Sequence, residues 1–118
     1  MCLEKLLDKI KNNPELIEFS EVISLIDENY KYRPTTFSNG LGDNVLISEA
    51  GKNEGSCKIF AFAKLNNLTK EQTLACFGKY YREDVLNNPS GTDHQNIRSF
   101  IKYGWAGIVY ENSPLEIK

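Results

Sequence analysis

Ala50-Gly51-Lys52-Asn53-Glu54-Gly55-Ser56-Cys57-Lys58-Ile59-Phe60-Ala61-Phe62-Ala63 is the stretch that decides how this chain folds. A polar loop bearing two glycines runs straight into the most apolar run of the sequence. Taken alone, residues 57–65 fit either a buried strand or a helix. Ala61, Ala63, Lys58, Lys64 and Leu65 favour the helix. The segment is therefore expected to be a central, buried helix with Ser56 as its cap. A thiol and an ammonium sit in its first turn, which makes that turn the first place to look for chemistry.

Working outward toward the N-terminus, Leu3, Leu6, Leu7 and Ile10 fall at helical spacing and predict a short amphipathic helix. Asn12-Asn13-Pro14 ends it and starts a second helix over residues 14–30, whose stripe is Leu16, Phe19, Ile23, Ile26 and Tyr30. Pro34 breaks the helical pattern. Thr35-Thr36-Phe37 and Val45-Leu46-Ile47 flank Asn39-Gly40, which predicts a hairpin across residues 35–48.

Toward the C-terminus, Thr69 and Gln72 form a capping box. Leu74, Phe77, Tyr81 and Val85 line one face of the helix that follows, and Gly78 within that stripe implies close approach by another element. Thr92 and Gln95 offer a second capping box, with Ile97, Phe100 and Ile101 as the buried face of a last helix ended by Gly104. Residues 106–111 and 115–118 read as short extended pieces. The sum is one α+β domain over residues 1–118, mainly helical, with about five helices and a small antiparallel sheet drawn from residues 32–47 and 106–117.

Bulk properties narrow the function classes. The 118 residues include 14 basic and 16 acidic side chains, for a formal charge of −2, and no Lys/Arg block stands out. A nucleic-acid footprint is not expected. The apolar run Ile59–Ala63 is too short to span a bilayer, so no membrane association is expected, and the first residues do not resemble a cleaved secretory signal. Three cysteines (Cys2, Cys57, Cys76) without a CxxC pair, and His94 as the lone histidine, fit reduced thiols in a reducing compartment. Neither a metal site nor a cofactor is expected.

Four motifs carry a family resemblance. They are Phe37-x-Asn39-Gly40, the run from Asn53 through Gly55-Ser56-Cys57-Lys58 to Ala63, Thr73-Leu74-Ala75-Cys76-Phe77-Gly78-x-Tyr80-Tyr81-Arg82, and Asp93-His94-Gln95-Asn96-Ile97-Arg98-x-Phe100 continuing to Gly104-Trp105-x-Gly107-Ile108. Together they resemble the HopJ type III effector family of bacterial proteins over nearly the whole chain. Only the stretch Gly42 to Ala50 is longer than the pattern leads one to expect. The resemblance implies a bacterial cytoplasmic protein, open to export through a type III system, that acts by binding a protein partner, in a host cell if delivered there. It brings no assigned activity and no catalytic residues.

The residues themselves offer candidates for a site. The Gly51 to Lys58 loop is not a nucleotide P-loop, because Gly55 is followed by Ser56-Cys57-Lys58 and not by Lys-Ser/Thr. Its amides, Ser56 and Lys58 can still hold a carboxylate or phosphate. Cys57 in a first helical turn beside a lysine is a candidate nucleophile, and His94, beside Asp93, is the candidate base. Buried packing accounts equally for both residues. Asp93, Gln95, Asn96 and Arg98 form a polar helix start that either binds a ligand headgroup or ties down the loop after Pro89. Tyr80, Tyr81, Tyr103 and Trp105 supply aromatic area for an interface or for the core. Two function classes follow: a non-enzymatic protein-binding module, or a small enzyme or ligand-binding protein with a thiol/histidine site.

Overall fold

The computed structural model describes residues 2–118. Its elements run α1 (Leu3–Asn12), a 3-10 turn (Pro14–Leu16), α2 (Phe19–Asn29), β1 (Tyr30–Tyr32), β2 (Phe37–Asn39), a 3-10 turn (Gly42–Asn44), β3 (Leu46–Ser48) and α3 (Glu54–Leu65). They continue with α4 (Lys70–Ala75), a π-helical turn (Tyr80–Val85), α5 (Gln95–Tyr103), a 3-10 turn (Gly104–Gly107), β4 (Ile108–Tyr110) and β5 (Leu115–Ile117). The domain is α+β and mainly helical, with five α-helices among the described residues, as the periodicity predicts.

Helix α3 is the centre, as its composition predicts. Cys57 and Ile59 through Ala63 are all buried. The Phe60 ring meets Phe37, Phe77, Phe100 and Trp105 at centroid separations of 4.9–6.5 Å. Four other stretches of the chain thus place an aromatic ring on one side chain of α3. The dispersion and area burial of such a cluster are what hold the helices and strands in one core. Trp105 belongs to this core, packing edge-on against Phe100 at 5.1 Å.

The expected single sheet is two. β1 pairs with β5, and β2 lies between β3 and β4; every pairing is antiparallel. The hairpin Phe37–Asn39 with Leu46–Ser48 forms as its turn residues predict. At its tip Gly40 (φ +122°) donates its amide to Gly107 O at 3.0 Å, and a Cβ on Gly107 would lie 2.8 Å from Gly40 N. Neither backbone has room for a side chain there.

Three helix boundaries differ from the sequence expectation, each for a tertiary reason. Residues 14–30 are not one helix. The chain is extended at Ile17 and Glu18, and the Ile17 carbonyl accepts from Arg82 Nη1 at 2.7 Å, 65 residues away. Tyr30 leaves α2 to pair with Ile117. The helix begun by Thr69 stops at Ala75, because Gly78 turns left-handed (φ +59°) under Phe19. The capping box that starts it is present, with Thr69 N to Gln72 Oε1 at 2.9 Å and Gln72 N to Thr69 Oγ1 at 3.1 Å.

Candidate functional site

Ser56 does not cap α3. The cap position is Asn53, in the left-handed region (φ +51°), and its Nδ2 donates to Ser48 Oγ at 2.9 Å, which pins the loop to β3. Cys57 N is the first amide of α3 to find an intrahelical partner, Asn53 O at 3.0 Å. The amides of Gly55 and Ser56 before it are left without acceptors, as helix starts require.

Helix α5 begins the same way. His94 takes the left-handed cap position (φ +49°), and its carbonyl accepts from both Ile97 N (3.0 Å) and Arg98 N (3.1 Å). The amides of Gln95 and Asn96 remain free. The second predicted capping box is absent, since a left-handed His94 moves Thr92 out of the cap position and the Gln95 side chain donates to Thr92 O.

Both helix starts line one cleft of about 590 Å³. Gly55 and Ser56 enter from α3, His94, Gln95 and Asn96 from α5, and Leu46, Ile47 and Ser48 from β3. One wall is aromatic. Phe19 meets Tyr80 edge-on at 5.1 Å, and Tyr80 stacks obliquely on His94 at 5.1 Å. Phe19 is held there by two glycines: a Cβ on Gly55 would lie 2.8 Å from Phe19 Cζ, and one on Gly78 would lie 2.7 Å from Phe19 N.

Beneath the cleft lies a buried carboxamide pair. Asn39, fully buried on β2, donates its Nδ2 to Asn96 O (2.9 Å) and Asn96 Oδ1 (3.0 Å). The Asn96 oxygen is thus engaged, while its Nδ2 has no protein acceptor; the residue is only 8% exposed and lines the cleft. Asn39 Oδ1 is buried without a partner.

The expected cysteine–histidine pair is not joined by any hydrogen bond. His94 Nε2 lies 3.0 Å from Asp84 Oδ2 and 3.8 Å from Asp93 Oδ2. Cys57 is 1% exposed, does not line the cleft, and directs its thiol toward Thr35 O at 3.8 Å. Burial pushes the Cys57 thiol up to about 11, outweighing the hydrogen bonds that act the other way. A nucleophilic cysteine needs the opposite shift. Around it, burial raises the Tyr32 and Tyr110 hydroxyls too, each disfavoured further by its neighbours; Tyr110 donates to Cys57 O at 2.8 Å.

The two expected cationic ligand groups are committed elsewhere. Lys58 pairs with Asp27 at 2.8 Å and lies 4.8 Å above the Tyr32 ring. Arg98 binds Asp93 Oδ1 (2.6 Å), Asp93 O (2.6 Å) and Asn88 O (2.8 Å), tying down the loop after Pro89. The hydrogen bond from Arg98 holds the Asp93 carboxyl below its ordinary range. Thus Ser56, His94, Gln95 and Asn96 share the cleft, while Cys57, Lys58, Asp93 and Arg98 stand outside it. Sequence reasoning missed Ser48, Asn53, Phe19 and Asn39. Asn53 ahead of Glu54-Gly55 was the available signal, since asparagine accepts the left-handed conformation at little cost. Among the described residues no three His, Cys, Asp or Glu side chains are grouped to hold a metal, and no helix is long and apolar enough to cross a membrane.

Fold and site together define a small α+β domain with an uncharged, aromatic-walled cleft between two helix starts. The chain belongs to the HopJ type III effector protein family, which matches residues 3–115. It is also similar to a solved crystal structure described as that of an unknown function protein, VPA0580. The TM-score is 0.95 and the identity 51%, covering 100% of this chain and 95% of the other. No curated protein is similar to the chain.

Proposed function

We propose that this HopJ-family protein works as a binding protein, through the cleft between the starts of α3 and α5, and not by covalent catalysis. The observation that carries this reading is the set of hydrogen-bond donors without acceptors: first-turn amides from two helices and the Asn96 Nδ2. Free donors inside a partly apolar concavity are what a recognition site needs. The buried, raised Cys57 thiol argues against the enzymatic alternative. Screening a fragment library by 1H–15N NMR tests the reading. Shifts should gather on Gly55, Ser56 and His94 to Ile97, and a folded Ser56→Phe variant, which fills the cleft, should lose them. Hits scattered over the surface and indifferent to Ser56→Phe would overturn it.

The family description favours a second reading, in which the protein is exported from the bacterial cytoplasm by a type III system and binds a host protein. One structural observation supports it. Ile47, Ser38 and Val109 stand in a single cross-strand row, with Ile47 70% and Val109 60% exposed. A translocation reporter fused to the chain, compared in cells with and without the secretion apparatus, decides the delivery step. Equal signal in both strains would remove it.

A further inference from the structure

The charge and shape of the cleft specify a class of ligand, and the inference rests on the cleft being the binding site. Each helix start carries about half a positive charge, so the two ends that line the cleft amount to roughly one. Among the described residues no lysine, arginine, aspartate or glutamate lines it; its titratable lining side chains are His94 and Tyr80. That matches a monoanion better than a phosphate dianion, for which a fixed cation is the usual partner. The free N–H donors are the Gly55, Ser56, Gln95 and Asn96 amides and the Asn96 carboxamide, and the Ser48, Ser56 and Tyr80 hydroxyls line the cleft beside them. Planar N–H donors arriving from two directions suit the two oxygens of a carboxylate.

Asn96 is the second, independent observation. The residue is only 8% exposed, its oxygen accepts from Asn39, and its Nδ2 lacks any protein acceptor while Asn96 lines the cleft. A donor left open in so enclosed a place is free to bond a ligand. Around these donors the lining is apolar and aromatic, from Phe19, Tyr80 and His94 on one side to Leu46, Ile47 and Ile97 on the other.

We propose that the cleft binds a small organic carboxylate carrying an apolar or aromatic group, with the carboxylate on the first-turn amides of α3 and α5 and on Asn96 Nδ2. The apolar part lies against the Phe19–Tyr80–His94 wall.

The test is a 1H–15N NMR titration with three probes: benzoate, its neutral isostere benzamide, and inorganic phosphate. Benzoate should shift the Gly55, Ser56, Gln95 and Asn96 amides and the Asn96 side-chain pair saturably. Benzamide should bind about tenfold more weakly, because it forgoes the helix-end charge. Phosphate should give no saturable shift. Ile47, exposed at the rim, allows a second check without disturbing the core. Ile47→Glu should weaken benzoate and Ile47→Lys should strengthen it, each by about threefold. Benzamide binding as well as benzoate, phosphate binding in its place, or indifference to the two Ile47 variants would overturn the carboxylate while leaving a binding cleft. Cleft amides unmoved by all three probes would overturn the ligand class and count against the cleft itself.

Discussion

Replacing Asn39 by aspartate tests the buried pair on which the start of α5 rests. Asn39 is 0% exposed, and its Nδ2 supplies both hydrogen bonds to Asn96, at 2.9 and 3.0 Å. Aspartate is nearly isosteric, but it puts an oxygen where two carbonyl oxygens need a donor. Two bonds worth ~1 kcal/mol each are lost, and burying an unpaired carboxylate adds several more, so the cost at neutral pH is ~4–6 kcal/mol. Against a typical total of ~5–15 kcal/mol that is severe, and at this chain length it lowers Tm by ~15–25 °C. The sign with pH follows from which form fits. A protonated carboxyl can donate one bond to Asn96, so the carboxyl titrates higher in the folded state than in the unfolded chain. The variant's deficit is therefore smallest in acid and grows as pH rises. Melting curves for wild type, Asn39→Asp and Asn39→Ala at about pH 4.5 and pH 8 measure this. Asn39→Ala should lose ~2–3 kcal/mol with no added pH dependence. An Asn39→Asp protein that melts with wild type, or whose deficit is the same at both pH values, would show that the Asn39–Asn96 pair does not exist as described.

Gly78→Ala should cost ~3 kcal/mol, read as a lower urea midpoint. It combines a left-handed φ of +59° with a Cβ 2.7 Å from Phe19 N. Phe60→Ala should lose ~3–5 kcal/mol, since one ring contacts four aromatic partners across the core. In native protein, iodoacetamide should label exposed Cys2 alone, with Cys57 and Cys76 reacting only after unfolding, as mass spectrometry of the modified peptides would show. Burial raises Cys57 to about 11 and Cys76 to about 12, from an ordinary value of 9.0. The unfolded chain thus releases these protons first. Stability should be full below pH 9 and fall as pH rises toward 11, by ~1.4 kcal/mol per pH unit per thiol, measured by denaturant titration.

Local rules were legible where both partners lie within a few residues. The Thr69–Gln72 cap, the Asn39-Gly40 turn and the apolar run of α3 each need only their own neighbourhood, and each stands where the sequence put it. What could not be read were boundaries set by distant groups. Arg82 takes the Ile17 carbonyl and so ends a helical stripe that continues through Leu16. Tyr30 fits that stripe too, but Ile117 draws it into a strand. Lys58 and Arg98 are ligand-binding types by composition; only the fold shows that Asp27 and Asp93 already occupy them.

The cleft was half legible for the same reason. Ser56, Gln95 and Asn96 announce polar helix starts, yet nothing local says that two starts face each other. The backbone marks the place more sharply than the side chains do. Only three non-glycine residues among those described have positive φ: Asn53, Asn67 and His94. Two of them, Asn53 and His94, are the caps of α3 and α5, and both line the cleft. A left-handed cap turns the approaching chain away from the helix axis and forgoes a side-chain cap, so the first-turn amides stay open. Ordinary Ser or Thr caps would have closed those donors with local hydrogen bonds, as Thr69 does for α4. The strain, the open amides and the unpartnered Asn96 Nδ2 therefore have one common location. Their coincidence supports the proposed binding role, since none of the three contributes to the stability of the free domain.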